Sequence, residues 1–534
     1  MNDVLLKPAM TDARKETAII PYALLALYAL LILRNAWISD DAIITFRAVE
    51  NFLSGYGPGY NPFVRVQAFT HPLWMSLIAL VYFIGGLFLP SLPNALFYAT
   101  FFLSIAFSVL TVFILLTRVS RPDVLSLSLA ALPLSLSNGF IDFSTSGLEN
   151  PLTHFLLIVF IASFLSGKSN PARLALISSL ILLNRMDAFL MTAPALLYVL
   201  WASNERKKIL GQMFAGFLPF LAWEIFSLFY FGFLFPNTAY AKLNTGVPHS
   251  ALILQGLDYF LNALNWDAVT LFGILLAGLS LYASPDRKRL FLFIGVALYL
   301  LYIVWIGGDF FAGRFLSAPL LVSTAIVSGH LEGRQAQGIA LSVVVLFGAF
   351  SIRSPLWSSN MVAYLPAYPI SDRNAISDQR LEYFGNERKG QFNSFVENGF
   401  REFEWGSPFA GNQWRFTGFE EVYVAEALGK PAYKKGPNTY VIDYYALSDP
   451  LLARLPASEW EIGHFRRDLP EGYLETLQTG GNKITDPNLS RYYDKLNYII
   501  SGPLWNWDRI VEIWRFNAGQ YDPLLEKYLE SVSH

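Results

Sequence analysis

The chain has 534 residues, 54% of them hydrophobic and only 15% charged, a balance that excludes an ordinary soluble domain and marks a membrane protein. A formal net charge of -2 gives no global basic surface, and no Arg/Gly or zinc-knuckle stretch is present, so nucleic acid is not an expected partner. With 0 Cys, disulfides, Cys-ligated zinc and thiol catalysis are excluded, and any chemistry has to rest on carboxylates, hydroxyls and imidazoles.

Lys7, Arg14 and Lys15 precede an apolar run from Ala18 to Leu33, which with its flanks can cross a hydrocarbon layer of roughly 30 Å. No small-residue cleavage site follows it, so it reads as a first transmembrane helix rather than a removed signal peptide. Basic clusters recur at Arg118 to Arg121, Lys168 to Arg173, Arg206 to Lys208, Asp286 to Arg289 and Arg334. Placing all of them on the cytoplasmic side gives about eleven crossings plus re-entrant segments. The intervening apolar segments are Leu96 to Thr117, Val124 to Ser137, Pro151 to Leu165, Phe214 to Tyr230, Ala268 to Ala283, Leu290 to Ile306, Phe315 to Ser328 and Ile339 to Ile352. Leu73 to Phe88 reads as a partial dip, and Leu174 to Trp201 as two half-length helices turning at "NRMD", Asn184 to Asp187. The transmembrane core therefore covers residues 1–352, with a first outer loop at 37–72. After Arg353 no segment is long enough to span, and residues 353–534 read as an extracytoplasmic C-terminal domain of mixed α/β type, with "VID" and "EIGHF" as strands and "DPLLARL" as a helix start.

In this topology the motifs rich in acid, amide and aromatic residues fall on one face: "SDDAIITFR" (39–47), "FIDFSTSGLEN" (140–150), "NRMD", "FPNTAYAK" (235–242) and "GGDFFAGRF" (307–315). Charges at membrane depth cost about 2.5 to 3.5 kcal/mol each and are kept where they pair or line a watered cavity. Asp40, Asp41, Glu149, Asp187 and Asp309 can supply acid or base groups, while Arg314, Lys242, Arg185 and Arg47 can hold a phosphate. His71, Asn237 and Tyr240 complete the candidate substrate-binding set. Hard oxygen ligands from Asp40, Asp41 and Glu149 would suit Mg²⁺, although nothing in the sequence requires a metal.

Each group also has a plain structural role open to it. One of Asp40 and Asp41 can cap the helix that "AIITFRAVENFL" begins, but a second adjacent carboxylate adds repulsion that capping does not need. Arg185 and Asp187 can form an ion pair at a re-entrant turn. Lys242 can snorkel to headgroups. The glycines of "GGDFFAG" allow close backbone approach beside Arg314.

Taken together, "WISDDAIITFRAVENFLSGYGPGYNP", "DFSTSGLEN", "LFYFGFLFPNTAYAKL", "GGDFFAGRFLSAPL" and "VIDYYALSDPLLARLPASEWEIGHF" resemble the AftB family, the terminal β-(1→2)-arabinofuranosyltransferases of mycobacterial arabinan assembly. The resemblance runs from about residue 37 to 470. It departs at "FTHPLW", and at Asp187, where the mycobacterial type carries Glu.

The resemblance implies a polytopic helical GT-C core with an acidic pair, here Asp40 and Asp41, in the first outer loop, and a C-terminal extracytoplasmic domain. It implies a multi-pass protein of the bacterial cell membrane whose active site faces outward. The donor it implies is a polyprenyl-phosphate sugar such as decaprenylphosphoryl-arabinofuranose, and the acceptor a cell-envelope glycan or glycoconjugate. A mannosyl- or oligosaccharyl-type lipid-phosphate transferase is the nearest alternative, and a polytopic transporter the alternative of another class. Trp405, Trp414, Tyr440, Trp460, Tyr473 and Trp505 make the C-terminal domain the expected site of acceptor recognition, since sugars pack on flat aromatic faces.

Overall fold

A computed structural model of the chain describes residues 12–89, 94–167, 170–351, 353–356, 372, 374–385 and 414–532. Lys7, Lys168 and Trp405 lie outside them. The described chain is mostly helical. Helix α1 (Asp12–Arg34) leads through Ser39 into α2 (Asp40–Leu53), followed by α3 (Pro72–Phe88) and α4 (Ala95–Ile114). Next come α5 (Val124–Leu136), the short α6 (Asn138–Asp142), α7 (Asn150–Leu165), α8 (Pro171–Asn184) and α9 (Ala193–Trp201). Then follow α10 (Arg206–Tyr230), α11 (Asn237–Leu243), α12 (His249–Trp266), α13 (Ala268–Ala283), α14 (Arg287–Ile306), α15 (Ser317–His330) and α16 (Arg334–Phe350).

The expected pair of half-helices is present, with α8 ending at Asn184 and a 3₁₀ turn over Met186–Met191 before α9. The segment expected as a partial dip, Leu73 to Phe88, is a helix, α3, of 17 residues, too short to count among the spans, and started by Pro72 at a position where proline loses no helical hydrogen bond. Helix α12 is an addition, amphipathic and bent by 105° from α13.

Among the described residues, three helical segments are long and apolar enough to span: Ala95–Val119, Arg206–Tyr230 and Arg287–Ile306. The bent α12–α13 pair could count as a fourth. Shorter apolar helices such as Asn150–Leu165 and Pro171–Asn184 pack among them, so length and composition alone do not reproduce a count of eleven crossings.

Buried apolar side chains from α1 to α16 form one continuous core, with Trp37, Phe46, Trp74, Phe160 and Leu320 fully enclosed. At its polar end the loop 307–316 approaches α6 closely. Gly313 has φ +75, and a Cβ placed there would sit 2.8 Å from the Gly139 Cα, the close approach expected from "GGDFFAG". Gly313→Ala combines left-handed backbone with a backbone clash, so it is expected to destabilise the protein by about 1–3 kcal/mol. A thermal unfolding midpoint in detergent equal to that of the parent would contradict this.

Residues 374–385 return to the core. Ser377 forms a parallel bridge with Phe311, and helix α17 (Gln379–Gly385) brings Arg380 to Asp142 at 2.6 Å.

Beyond residue 413 the described chain is a small α/β lobe. Strand β1 (Glu421–Ala425) pairs in parallel with β2 (Thr439–Asp443), Glu421 facing Thr439, across α18 (Lys430–Lys434). The hairpin β3 (Glu459–Glu461) and β4 (His464–Arg466) turns at Gly463, whose φ is +72. Helices α19 (Tyr473–Thr479), α20 (Pro487–Ser501), α21 (Trp507–Asn517) and α22 (Asp522–Val532) complete it. The expected "VID" strand is present as the end of β2, "EIGHF" is not one strand but the turn of the β3–β4 hairpin with a strand end on either side, and "DPLLARL" yields only a 3₁₀ turn at Leu452–Arg454. Trp414, Tyr440 and Tyr473 are core residues of this region, and only Trp460 and Trp505 of the described aromatic candidates present a face to the outside.

Side chains of residues 37–72 and of α11 join the lobe to the core by bonding its backbone. Asn61 both donates to the Val441 carbonyl at 2.9 Å and accepts from the Val441 N–H at 3.0 Å, taking the place of a neighbouring strand on β2. Arg47 donates to the carbonyls of Tyr60, Ala432 and Thr439 at 2.7–2.9 Å.

Candidate active site

Helix α2 begins at the acidic pair, but neither carboxylate caps it. Ser39 is the N-cap, its Oγ accepting from the Asp41 N–H at 3.2 Å, and the two acids lie in the first turn, where the helix dipole favours negative charge. The Ser39 N–H is fixed in turn by the Ser146 carbonyl at 2.8 Å. The two carboxylates have different surroundings. Asp40 Oδ1 accepts from the Lys430 N–H at 2.7 Å, at the start of α18, and Gly429 makes room, since a Cβ there would collide with the Asp40 carboxyl. The Asp41 carboxylate has no hydrogen bond or ion pair among the described residues, and the charges that act on it are those of Arg314, Lys242 and Glu149.

Burial, together with the Asp41 charge, pushes Asp40 up from 3.8 to about 6 against the stabilising Lys430 N–H. Burial raises Asp41 too, opposed by Arg314 and Lys242. A raised carboxylate holds a proton in the folded state that the unfolded chain would release. Its contribution to stability is therefore complete below the unfolded value and is lost as pH rises through the folded one. Base capacity runs the other way. Activity is expected to rise with pH on an acid limb whose midpoint lies above the ordinary carboxylate range of about 4, while unfolding midpoints fall between pH 4 and 6. A rate profile already flat above pH 4.5 would exclude this assignment.

Glu149 stands at the N-terminus of α7 and is the hub of the cluster. Arg185 Nη1 donates to it at 2.8 Å, Arg314 Nη2 at 3.2 Å, and His71 Nδ1 lies at 3.4 Å. His71, just before α3, is held from its other nitrogen by Thr45 Oγ1 at 2.7 Å. The "NRMD" turn delivers Arg185, whose Nε and Nη2 donate to Asp187 at 3.2 and 3.0 Å. Tyr299 Oη on α14 also donates to Asp187, at 3.1 Å. Every nitrogen of Arg185 thus has a carboxylate partner. Arg314 differs: Nη1 lies 3.6 Å from Asp309 Oδ2, and Nε is buried with no acceptor. Lys242, at the end of α11, is exposed and makes no hydrogen bond or ion pair among the described residues.

The structure therefore gathers Asp41, His71, Glu149, Arg185, Asp187, Lys242, Asp309 and Arg314, with Asp40 at the edge against the lobe. Other candidates are placed elsewhere. Arg47, expected on phosphate, is fully buried with its donors on three carbonyls and its guanidinium 4.9 Å from the Tyr60 ring. Asn237 donates to the carbonyls of Ala446, Leu447 and Asp449 at 2.9–3.2 Å, and with Tyr240 it lines a separate small hollow beside Arg65 and Phe235. The metal set Asp40, Asp41 and Glu149 does not converge. Glu149 is occupied by cations and Asp40 by an amide, and no group of three or more His or acid side chains is placed for a metal among the described residues.

Sequence reasoning missed Tyr299, Thr45 and His464. The β3–β4 hairpin carries His464 onto Phe310, with ring centroids 4.3 Å apart, and within the influence of Lys242 and Asp309. Burial first, then Lys242, pushes this imidazole down to about 4, so it is neutral near pH 7 and available to bond a hydroxyl. Its place in "EIGHF", inside a motif that carried the family resemblance, was the available signal.

Fold and site together define a helical membrane-type protein with a charged cluster at one end of its core, covered by a small α/β lobe. Two curated proteins are similar to it. A terminal β-(1→2)-arabinofuranosyltransferase of Mycobacterium tuberculosis is 30% identical over 340 residues, covering 55% of this chain and 52% of that protein. A terminal β-(1→2)-arabinofuranosyltransferase of Corynebacterium glutamicum is 29% identical over 352 residues, covering 58% of this chain and 50% of that protein. The chain thus spans about half the length of the curated relatives it matches, and the AftB-like resemblance carried by its motifs agrees with them. No family model matches the chain, and no solved structure matches it significantly.

Proposed function

We propose that this chain is a GT-C-type membrane glycosyltransferase. In this reading it transfers a sugar, D-arabinofuranose by analogy with its relatives, from a polyprenyl-phosphate donor such as decaprenylphosphoryl-arabinofuranose to a cell-envelope glycan on the outer face of the bacterial cell membrane. The observation that carries this reading is the Asp41 carboxylate, without a hydrogen-bond or ion-pair partner among the described residues and in the field of Arg314 and Lys242. A transferase that uses a lipid-linked sugar phosphate needs an open base beside cations with donors to spare, and those three residues supply it.

In this reading Asp41 takes the proton of the acceptor hydroxyl as its oxygen attacks the anomeric carbon. The bond from that carbon to the phosphate oxygen breaks, and its electrons pass to the polyprenyl phosphate, whose growing charge Arg314 and Lys242 stabilise. If configuration is retained, the same carboxylate instead attacks the anomeric carbon and displaces the polyprenyl phosphate, and the acceptor oxygen then displaces the carboxylate from the glycosyl-enzyme as its proton passes to that phosphate. Arg185 and Glu149 position Arg314, and neutral His464 faces the acceptor from the lobe.

The test is transfer by the purified full chain in lipid nanodiscs from synthetic polyprenyl-phosphoryl arabinofuranose to an arabinan oligosaccharide, with the product anomer read by NMR. No transfer, under conditions where donor binding is measurable, would overturn the reading. Arg314→Ala is expected to raise the donor KM and lower kcat by a total of about 10²-fold or more, the scale of losing one oxyanion donor. Arg314→Lys keeps the charge but loses the planar fork and is expected to fall between the two. Full activity in Arg314→Ala would assign the phosphate to Lys242.

A further inference from the structure

Helix α21 (Trp507–Asn517) carries apolar residues on its exposed side as well as on its buried one, which is unusual for a helix on a water-facing surface. Its inward face buries Arg509 and Glu512 beside Ile513 and Phe516. Its outward face is formed by Trp507, Ile510, Val511 and Trp514, the i, i+3, i+4, i+7 spacing of a single helical stripe. Trp507 is 73% and Trp514 70% exposed, with Ile510 and Val511 partly so, and Trp505 just before the helix is 86% exposed. A patch of this kind on a soluble surface marks a contact with something apolar.

The position of the helix identifies that contact. Arg509 Nη1 and Nη2 donate to the carbonyls of Phe229 and Tyr230, each at 2.8 Å, which are the last residues of α10, one of the long apolar spans. At the other end of α21, Asn517 donates to the Gly232 carbonyl at 2.8 Å. The Trp505 ring packs on Phe229 with centroids 4.9 Å apart. The stripe therefore continues the exposed apolar surface of α10, where Ile225 and Phe226 face outward, and that of Leu234 and Phe235 just beyond. Tryptophan is enriched where a span leaves the hydrocarbon, because its ring is amphipathic, and a helix with one aromatic-aliphatic stripe can lie in the interface plane.

We propose that α21, with Trp505, is a membrane-interface anchor that seats the C-terminal lobe on the headgroup boundary of the bilayer at the Tyr230 end of α10. The proposal rests on the membrane reading of α10 and not on the transferase reading. The anchor fixes the height of the lobe, and with it Lys430 and His464, relative to the lipid surface.

The chain has 0 Cys, so single labels can be placed cleanly. Trp507→Cys, Trp514→Cys and, as an aqueous reference on α19, Thr479→Cys would each be nitroxide-labelled in the full chain, reconstituted in phosphatidylcholine–phosphatidylglycerol vesicles. Power saturation with oxygen and with a water-soluble nickel chelate reads immersion. The expected result is an oxygen-to-nickel accessibility ratio several-fold higher at 507 and 514 than at 479. Ratios equal to that at 479 would overturn the anchor. So would spin–spin broadening at 514 that disappears on dilution with unlabelled chain, which would assign the stripe to a second copy. A gentler variant guards against local misfolding. Headgroup-proximal brominated lipid should quench a fraction of the parent's Trp emission that is missing from a Trp507→Tyr, Trp514→Tyr double variant, and an unchanged quenchable fraction would count equally against the proposal.

Discussion

Asp41→Asn is expected to abolish glycosyl transfer, by about 10²- to 10⁴-fold, the range of a lost general base, with expression and unfolding midpoint kept. Asn is nearly isosteric, and the Asp41 carboxylate has no hydrogen bond to lose among the described residues. The neighbouring substitution should behave differently. Asp40 contributes an acceptor to the Lys430 N–H at 2.7 Å, and an Asn carbonyl oxygen can take the same bond. Asp40→Asn is therefore expected to stay within about tenfold of the parent. The measurement is turnover by purified variants at saturating donor, with donor binding followed separately. Equal loss in both variants would show that the acids act as a pair, and near-parent turnover in Asp41→Asn would remove it from the chemistry.

Glu149→Gln is expected to damage the fold more than any other single change in the cluster. The carboxylate is almost fully enclosed and holds Arg185 at 2.8 Å and Arg314 at 3.2 Å. Without it Arg185 keeps only Asp187 and Arg314 only the longer contact to Asp309 at 3.6 Å, so the cost is expected to approach, without exceeding, the roughly 3–5 kcal/mol of a buried charge left alone. The loss should appear as a lower unfolding midpoint in detergent and a reduced yield of monodisperse protein. Arg314→Ala, by contrast, leaves Glu149 with Arg185. If Glu149→Gln unfolds like the parent but loses activity, the residue belongs with the substrate rather than with the scaffold.

Where the fold was legible in the sequence, a local pattern carried the information. The break at "NRMD", the helix starting at Asp40, and the close approach at Gly313 depend on charge, capping and glycine within a few residues. Helix α12 was not legible because His249–Trp266 mixes Asp258, Gln255 and Asn262 with its apolar residues and so falls outside a search for apolar runs. At the site, residue type alone brought out Glu149, Arg185, Asp187, Asp309 and Arg314, which stand together. Arg47 and Asn237 looked equally chemical. Two of the three carbonyls that hold Arg47 are 385 and 392 residues away and those that hold Asn237 more than 200, and no short-range pattern announces a bond of that span. His464 was missed for the same reason, since only the folded hairpin brings it to Phe310.

The side chains that hold the lobe in place bond chiefly to main-chain atoms. Arg47, Asn61, Asn237 and Arg509 between them grip the backbone of 432, 439, 441, 446, 447 and 449 and of the last turn of α10. Every residue type has a carbonyl, so a grip of this kind recognises the path of the chain and is indifferent to the side chains strung along it. The lobe's outer surface can then accumulate substitutions without unseating it from the core. The four gripping residues have no such latitude, and a chimaera that grafts a foreign lobe should dock where the incoming backbone follows the same path and an arginine stands at position 509.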